Sequence, residues 1–187
     1  MSDVYTATTN TTFLPSNAKL VFDERLAIRA GKGRVFGLSK ADNKVAYSEQ
    51  FDQWTVGTGT TIVVDAIDGP LLGVKAAELV TSPAAGSTYI LNPFVVSTET
   101  TYTASVWAKA RTPGVNQRFQ FKIEGVPGVD VDTTDKWTRY EATITTGADP
   151  GKRFVLSNGN DSYESDVYFW GAQLVEGTEA LPYTKTE

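Results

Sequence analysis

Aromatic side chains that could stack on a sugar ring stand out first in this sequence. Trp107 and Trp137 each fall on the polar side of an alternating segment, and Tyr140 follows Trp137 closely. An indole or phenol ring can bury the apolar face of a pyranose while the sugar hydroxyls stay free to bond. We therefore predict Trp107, Trp137 and Tyr140 as candidate glycan-binding residues. The alternative is that such aromatics fill the core or its rim, as we expect for Trp54 and Trp170.

Carboxylates give little sign of catalysis. Glu78 and Glu141 are the acidic residues in apolar company, and both are predicted to point outward from amphipathic strands. Glycoside hydrolysis needs a carboxylic acid in an apolar pocket. Two further acidic clusters are interpreted as solvated rims, because their spacing lacks the glycine-bearing loop of an EF-hand. They are Asp130, Asp132 and Asp135, and then Asp161, Glu164 and Asp166. We predict no catalytic residue and no metal site, although a calcium held by oxygen ligands stays open.

Composition excludes several other classes of function. The chain has 187 residues, no cysteine and no histidine, so disulfides, thiol nucleophiles, common zinc sites and histidine acid–base chemistry are ruled out. We expect no cofactor. No apolar run is long enough to span a membrane, and no secretory signal is visible. An apolar content of 41% and a charged content of 21% fit one soluble domain with a small appendage.

The segments that contain the candidate binding residues are predicted to form short strands. Arg118–Glu124 alternates most cleanly, with Phe119, Phe121 and Ile123 on its inward face. From residue 46 onward, about nine or ten such strands are separated by Gly, Pro and Asp turns. No helical segment is available to carry a parallel crossover. The pattern therefore predicts an all-β fold, an antiparallel two-sheet β-sandwich over residues 46–187.

The first 45 residues differ from the rest of the chain in their charge. They carry seven Lys/Arg against four Asp/Glu, whereas residues 46–187 carry ten against eighteen. The basic residues are too interleaved with apolar ones for a nucleic-acid tail, so we expect no nucleic-acid partner. We predict an extended N-terminal arm and an anchoring segment that docks on an acidic protein surface. Its candidate contact residues are Lys19, Phe22, Arg25, Ile28 and Arg29. For residues 23–30 the sequence leaves open a polar turn followed by a strand, or a helix.

Four segments in order resemble a known family. They read YSEQFDQW at 47–54, YTASVWAK at 102–109, KWTRYEATIT at 136–145 and VYFWGAQLVEGTEALPYT at 167–184. Together they resemble the carbohydrate-binding-module-like jelly-roll domains of phage structural proteins, which occur in tail fibres and head fibres. The resemblance covers about residues 46–184. It implies a jelly-roll sandwich and a structural role in a virion, not an enzyme.

The resemblance, with the N-terminal segment, gives a functional hypothesis. The protein is expected to be a capsid decoration or head-fibre subunit that is made in the host cytoplasm and displayed on the virion surface. Its expected partners are the major capsid protein or another virion protein, with a homo-trimer as the expected assembly and a glycan as a possible ligand. One alternative is a tail-fibre, receptor-binding module that recognises a host surface glycan. Another is a carbohydrate-binding module of an enzyme system.

Overall fold

The structure is a computed structural model that describes residues 27–30, 34–37, 41–71, 75–82, 89–94, 96–115, 117–151, 153–157 and 164–187. The chain divides into two units, residues 1–40 and 41–187. In the first unit, Ala27–Ala30 (β1) pairs antiparallel with Arg34–Gly37 (β2). This hairpin decides between the two interpretations of that stretch in favour of the strand. The predicted extended arm lies outside the described residues.

The described part of the second unit is a one-turn 3₁₀ helix, Phe51–Gln53, followed by ten strands. In chain order the strands are Thr55–Val56 (β3), Thr61–Asp68 (β4), Lys75–Ser82 (β5), Tyr89–Pro93 (β6), Thr101–Ala110 (β7), Gln117–Ile123 (β8), Val129–Thr133 (β9), Thr138–Thr145 (β10), Arg153–Ser157 (β11) and Ser165–Glu176 (β12). The first sheet has the order β10-β7-β12-β5-β4, and the second has the order β3-β6-β11-β8-β9. All pairings are antiparallel, which confirms the predicted two-sheet sandwich. Within the described residues, no helix is long and apolar enough to cross a membrane.

The core lies between the two sheets, where the alternation of β7 and β8 places it. Phe119, Phe121 and Ile123 of β8 are almost fully buried, as predicted. Across the core, β7 contributes Tyr102, Ala104, Val106 and Ala108. The side chains between these on each strand therefore point to the outer faces of the two sheets.

A bulge in β12 changes which residues face the core. The pairing of β12 with β7 shifts between Trp170 and Gln173, and Gly171 between them has a φ of +65°. Glycine adopts this left-handed conformation without the cost that a Cβ would impose. As a result, Phe169 before the bulge and Leu174 after it both face the core. Trp170 and Gln173 belong to the other face of the sheet.

The second unit begins before residue 46. Asn43 is buried, and its Oδ1 accepts hydrogen bonds from the backbone N–H groups of Val45 at 3.1 Å and Leu174 at 3.0 Å. Its Nδ2 donates to the carbonyls of Ala172 at 3.1 Å and Thr184 at 2.9 Å. Three of these four bonds join residues 41–45 to the rest of the unit, and the fourth lies within the segment. The start of this unit therefore lies five residues before the boundary predicted between an arm of 1–45 and a domain of 46–187.

Candidate functional site

Trp107 lies on the outer face of the first sheet, on its second strand, β7. In the cross-strand row that contains it, Arg139 of β10 is on one side and Trp170 of β12 is on the other. The guanidinium carbon of Arg139 lies 4.9 Å from the centre of the Trp107 ring, in a cation–π arrangement. Trp107 is half-buried. Its ring is thus already in contact with a charged group and a second indole.

The last residues of the chain cover this aromatic row. We call residues 178–187 the C-terminal tail. The Tyr183 ring lies 5.6 Å from Trp107 and 4.9 Å from Trp170, centre to centre, and Trp170 is only 2% exposed. The Tyr183 hydroxyl lies 2.8 Å from Ser48 Oγ and donates to Glu49 Oε1 at 3.1 Å. Burial raises the pKa of Tyr183 above its ordinary value.

Backbone bonds hold the tail down along its length. The carbonyl of Leu181 accepts hydrogen bonds from Arg139 Nη2 at 2.8 Å and from Gln173 Nε2 at 3.0 Å. The N–H of Thr184 donates to Gln173 Oε1 at 2.8 Å, and Gln173 is fully buried. A sugar could reach the Trp107 ring only by displacing these contacts. The described geometry therefore favours packing, not ligand stacking, as the role of this tryptophan.

The other two predicted glycan residues lie on β10 or just before it. Trp137 is half-buried before the strand begins. Tyr140 pairs with Val106 and lies on the core side of β10, where its ring packs edge to face on Phe119 at 6.0 Å. Its hydroxyl accepts the N–H of Thr134 at 3.1 Å. Trp107 and Tyr140 therefore lie on opposite faces of the first sheet, because adjacent residues of a strand point to opposite faces and Tyr140 has the parity of the core. Glycan binding by the three residues stays a prediction.

Glu78 also differs from its prediction. It is 3% exposed and lies on the core side of β5, opposite Phe169. Its Oε2 accepts the N–H of Asp52 in the 3₁₀ helix at 2.9 Å. Burial, with a smaller contribution from the nearby Asp52 carboxylate, raises the pKa of Glu78 to about 8. Because Glu78 accepts this bond from the 3₁₀ helix on the core side of β5, its contact is structural. Glu141 is exposed, as predicted.

The outer face of the second sheet has a different character. One cross-strand row runs over four neighbouring strands, β6, β11, β8 and β9, and consists of Tyr89, Ser157, Gln120 and Asp130. Three strand spacings make this row about 14 Å long. The first three side chains are half-buried and Asp130 is exposed. The row places a phenol ring at one end and amide and carboxylate groups at the other.

A second, more apolar row lies beside the first. It contains Leu91 of β6, Val155 of β11 and Lys122 of β8. Leu91 is buried, whereas Val155 and Lys122 are half-buried. Together, the two rows combine apolar surface with planar polar side chains. Hydrogen-bond donors and acceptors beside an apolar strip suit a ligand that has both hydroxyls and an apolar ring face.

Ion pairs fix the polar groups at the edges of this face. Arg118 donates to Asp132 through Nε at 2.8 Å and Nη2 at 3.3 Å, and its Nη1 lies 4.0 Å from Asp130. The hydrogen bond from Arg118 lowers the pKa of Asp132. At the other edge, Arg153 donates to Glu124 through Nε at 2.7 Å and also through Nη2. Such paired side chains hold a defined geometry before any ligand arrives.

Gln120 is positioned by its neighbours on β9. Its Nε2 donates to Asp130 Oδ1 at 2.8 Å, which leaves its amide oxygen on the same face. Its side chain lies across Gly128, where an added Cβ would fall 2.2 Å from it. Any larger residue at 128 would therefore push the Gln120 amide away. Asp130 and Asp132, interpreted from the sequence as part of a solvated rim, are exposed and belong to strand β9. Among the described residues no metal-binding group of three or more His, Cys, Asp or Glu side chains is present.

The predicted anchor residues divide between described and undescribed parts of the chain. Ile28 and Arg29 lie in β1, opposite Phe36 and Val35 of β2. Lys19, Phe22 and Arg25 lie outside the described residues. The anchoring role of all five stays a prediction.

Sequence comparison assigns no family to the chain. No protein-family model matches it, and no curated protein matches it. Solved structures do match. The CBM22-1 xylan-binding domain of Paenibacillus barcinonensis Xyn10C is 17% identical with a TM-score of 0.55, and the match covers 75% of this chain and 98% of that domain. At such identities the likeness shows the fold, and it confirms the predicted sandwich of the carbohydrate-binding-module type.

Two larger proteins contain a similar domain. The arabinose-bound α-L-arabinofuranosidase MgGH51 is 14% identical with a TM-score of 0.53 over 76% of this chain. The enzymatically active domain of bacteriophage CBA120 tailspike protein 4 is 12% identical with a TM-score of 0.52 over 72% of this chain. The chain spans only 27% of the first protein and 21% of the second. The shared part is therefore the sandwich.

Proposed function

We propose that the second unit is a non-catalytic glycan-binding module and that the outer face of the second sheet is its binding site. The observation that carries the proposal is the row of Tyr89, Ser157, Gln120 and Asp130, with the apolar Val155 beside it. Tyr89 would pack on the apolar face of a sugar. Gln120 and Asp130 would bond to its hydroxyls, and their hydrogen bond to each other limits the entropy lost on binding.

Two observations support this assignment over the outer face of the first sheet. There the aromatic row is occupied by Arg139, Tyr183 and the rest of the C-terminal tail. On the second sheet, the side chains of the row from Tyr89 to Asp130 are half-buried or exposed, although Leu91 in the adjacent row is buried. A row about 14 Å long also suits an oligosaccharide better than a single sugar ring.

Binding of the full-length chain to a glycan array, followed by calorimetry on the best ligand, tests the proposal. Tyr89→Ala and Gln120→Ala should each weaken binding about tenfold or more, the usual effect of losing a central contact. Tyr168→Ala is the matched control for the tyrosine, because Tyr168 is a half-buried tyrosine on the outer face of the first sheet. The proposal fails if no glycan binds, or if the control weakens binding as much as Tyr89→Ala does.

We further propose that this module is displayed on a virion surface, as a tail-fibre, head-fibre or capsid decoration component, and that the basic N-terminal segment attaches it. The charge asymmetry between residues 1–45 and 46–187 supports an attachment that is separate from the ligand face. A trimer and a capsid-protein partner belong to the same proposal. Charge reversal at Arg25 and Arg29 should slow association with particles, since steering by charge is lost. Unchanged association rates and unchanged occupancy would contradict it.

A further inference from the structure

The candidate face contains three cations, and they are not equivalent. Arg118 is paired with Asp132 and Asp130, and Arg153 is paired with Glu124. Lys122 has no carboxylate within ion-pair distance anywhere in the described ranges. It sits on β8, the strand next to the β9 edge, two residues from Gln120, at about 7 Å along the strand. One positive charge on this face is thus left without a counter-ion from the described protein.

The surroundings of Lys122 leave its ammonium group facing outward. Its register partner on β11 is Val155, which in turn faces Leu91 of β6. On the other side, β9 is preceded by Gly128, which has no side chain to offer. The apolar stem of a lysine packs on such neighbours while its charged head stays in solvent. A ligand that follows the row from Tyr89 to Asp130 would therefore lie one row away from Lys122, within reach of a long side chain.

The chain as a whole is negatively charged, so Lys122 is opposite in sign to the net charge of the molecule. The chain has a net charge of −5, so an acidic polymer is repelled by the molecule as a whole. On the same face, Arg118 pairs with Asp132 and Arg153 with Glu124, whereas Asp130 accepts a hydrogen bond from the neutral Gln120 amide and lies 4.0 Å from Arg118. An anion arriving at Lys122 would meet a cation that has no carboxylate within ion-pair distance among the described residues. Charge-assisted hydrogen bonds of this kind are among the strong ones.

We infer that the face binds an anionic glycan, with the carboxylate, sulfate or phosphate group of one sugar at Lys122 and hydroxyls of the neighbouring sugars at Gln120 and Asp130. This inference rests on the proposed function, because it names the ligand class for the same site. It assigns Lys122 as the residue that sets specificity, while Tyr89 and Gln120 supply affinity for acidic and neutral glycans alike.

The test uses the full-length chain on an array that contains acidic glycans with their neutral counterparts. Suitable pairs are oligogalacturonate with its methyl ester, sulfated with desulfated galactan oligosaccharides, and phosphorylated with dephosphorylated mannose oligosaccharides. We expect acidic members to bind about tenfold or more tightly than their partners, and the difference to shrink as salt is raised. The three pairs also tell apart a carboxylate, a sulfate and a phosphate.

The variant that tests the assigned residue is Lys122→Gln. It should reduce the preference for the acidic member of a pair to about one, with little change for the neutral member. Lys109→Gln is the matched control, since Lys109 is a half-buried lysine on the outer face of the first sheet. If neutral glycans bind as well as acidic ones, or if Lys122→Gln keeps the preference, the inference is overturned while the proposed function stands. If no glycan of either kind binds, both are overturned.

Discussion

The rings of Trp107 and Trp170 pack edge to face on the outer side of the first sheet, with their centres 5.3 Å apart and their planes at 68°. Residues paired across neighbouring strands can meet in this way, and each aromatic pair adds to the stability of a sheet. Here the pair is covered by Tyr183 and flanked by Arg139. Trp107 and Trp170 thus hold the C-terminal tail against the sandwich through their contacts with Tyr183.

The first prediction concerns this role of Trp107. Trp107→Ala should lower the free energy of unfolding by about 2–4 kcal/mol, slightly less than for a fully buried aromatic, because Trp107 is only half-buried. Chemical denaturation measures the change. Trp137→Ala, at a half-buried position in a turn, is the control and should cost about 1 kcal/mol or less. A variant that keeps its stability but loses glycan binding would show that Trp107 is a ligand contact after all.

Much of the fold can be predicted from the sequence, because the alternation of apolar and polar residues along a strand indicates which side chains are buried. In β8, every second residue is apolar, and the inward assignment of Phe119, Phe121 and Ile123 is confirmed. β9 was missed although Val129 and Val131 alternate with Asp130 and Asp132, because five residues are a short run and its carboxylates were interpreted as a solvated rim. Its presence follows only from pairing with β8.

The candidate site is much less visible in the sequence. Its row draws one residue from each of four strands that are far apart along the chain, and only pairing register brings them together. The alternation of apolar and polar residues in β8 predicts that Gln120 points outward, but it does not predict which residues of the other strands lie beside Gln120. Similarly, the segment around Glu78 showed an amphipathic strand without showing which of its sides faces the core. The bulge at Gly171 reverses the parity of β12, and a simple two-residue period does not contain that information.

The second prediction concerns the centre of the core. Phe121 is fully buried, with Phe119 at 5.0 Å and Phe154 at 6.3 Å between ring centres. Phe121→Ala should lower the free energy of unfolding by about 3–5 kcal/mol, because it removes a large apolar side chain and leaves a cavity. Phe121→Leu keeps most of the volume and should cost less. A loss under about 1 kcal/mol for the alanine variant would be inconsistent with this packing.

The third prediction is a pH dependence that originates at Glu78. Its pKa is about 8 in the folded chain, against about 4.3 for an unperturbed glutamate in the unfolded chain. Between these values the unfolded state loses a proton that the folded state keeps, so the free energy of unfolding falls as pH rises and levels off above pH 8. Glu78→Gln cannot ionise and still offers an oxygen to the N–H of Asp52.

Denaturant titrations between pH 4 and pH 9 measure this effect. Relative to wild type, Glu78→Gln should gain about 2–4 kcal/mol at pH 8 and little at pH 4. Glu141→Gln is the control, since Glu141 is exposed on the first sheet. If the pH profiles of wild type and Glu78→Gln run parallel, Glu78 is ionised in the folded chain and its burial does not govern stability.

The last prediction tests the attachment of the C-terminal tail. The Gln173 amide donates to the carbonyl of Leu181 at 3.0 Å and accepts the N–H of Thr184 at 2.8 Å, and the residue is fully buried. Gln173→Ala removes both bonds and leaves the Thr184 N–H without this acceptor, which should cost about 2–4 kcal/mol. Gln53→Ala, at an exposed glutamine, is the control and should be nearly neutral.

Hydrogen exchange measures the attachment of the tail locally. Under conditions of local opening, the Thr184 amide should exchange faster in Gln173→Ala, while amides in the centre of β8 keep their protection. If Thr184 exchanges at the wild-type rate, the Gln173 bonds contribute nothing to the attachment of the tail, and other contacts, such as those of Tyr183, Arg139 and Asn43, hold it.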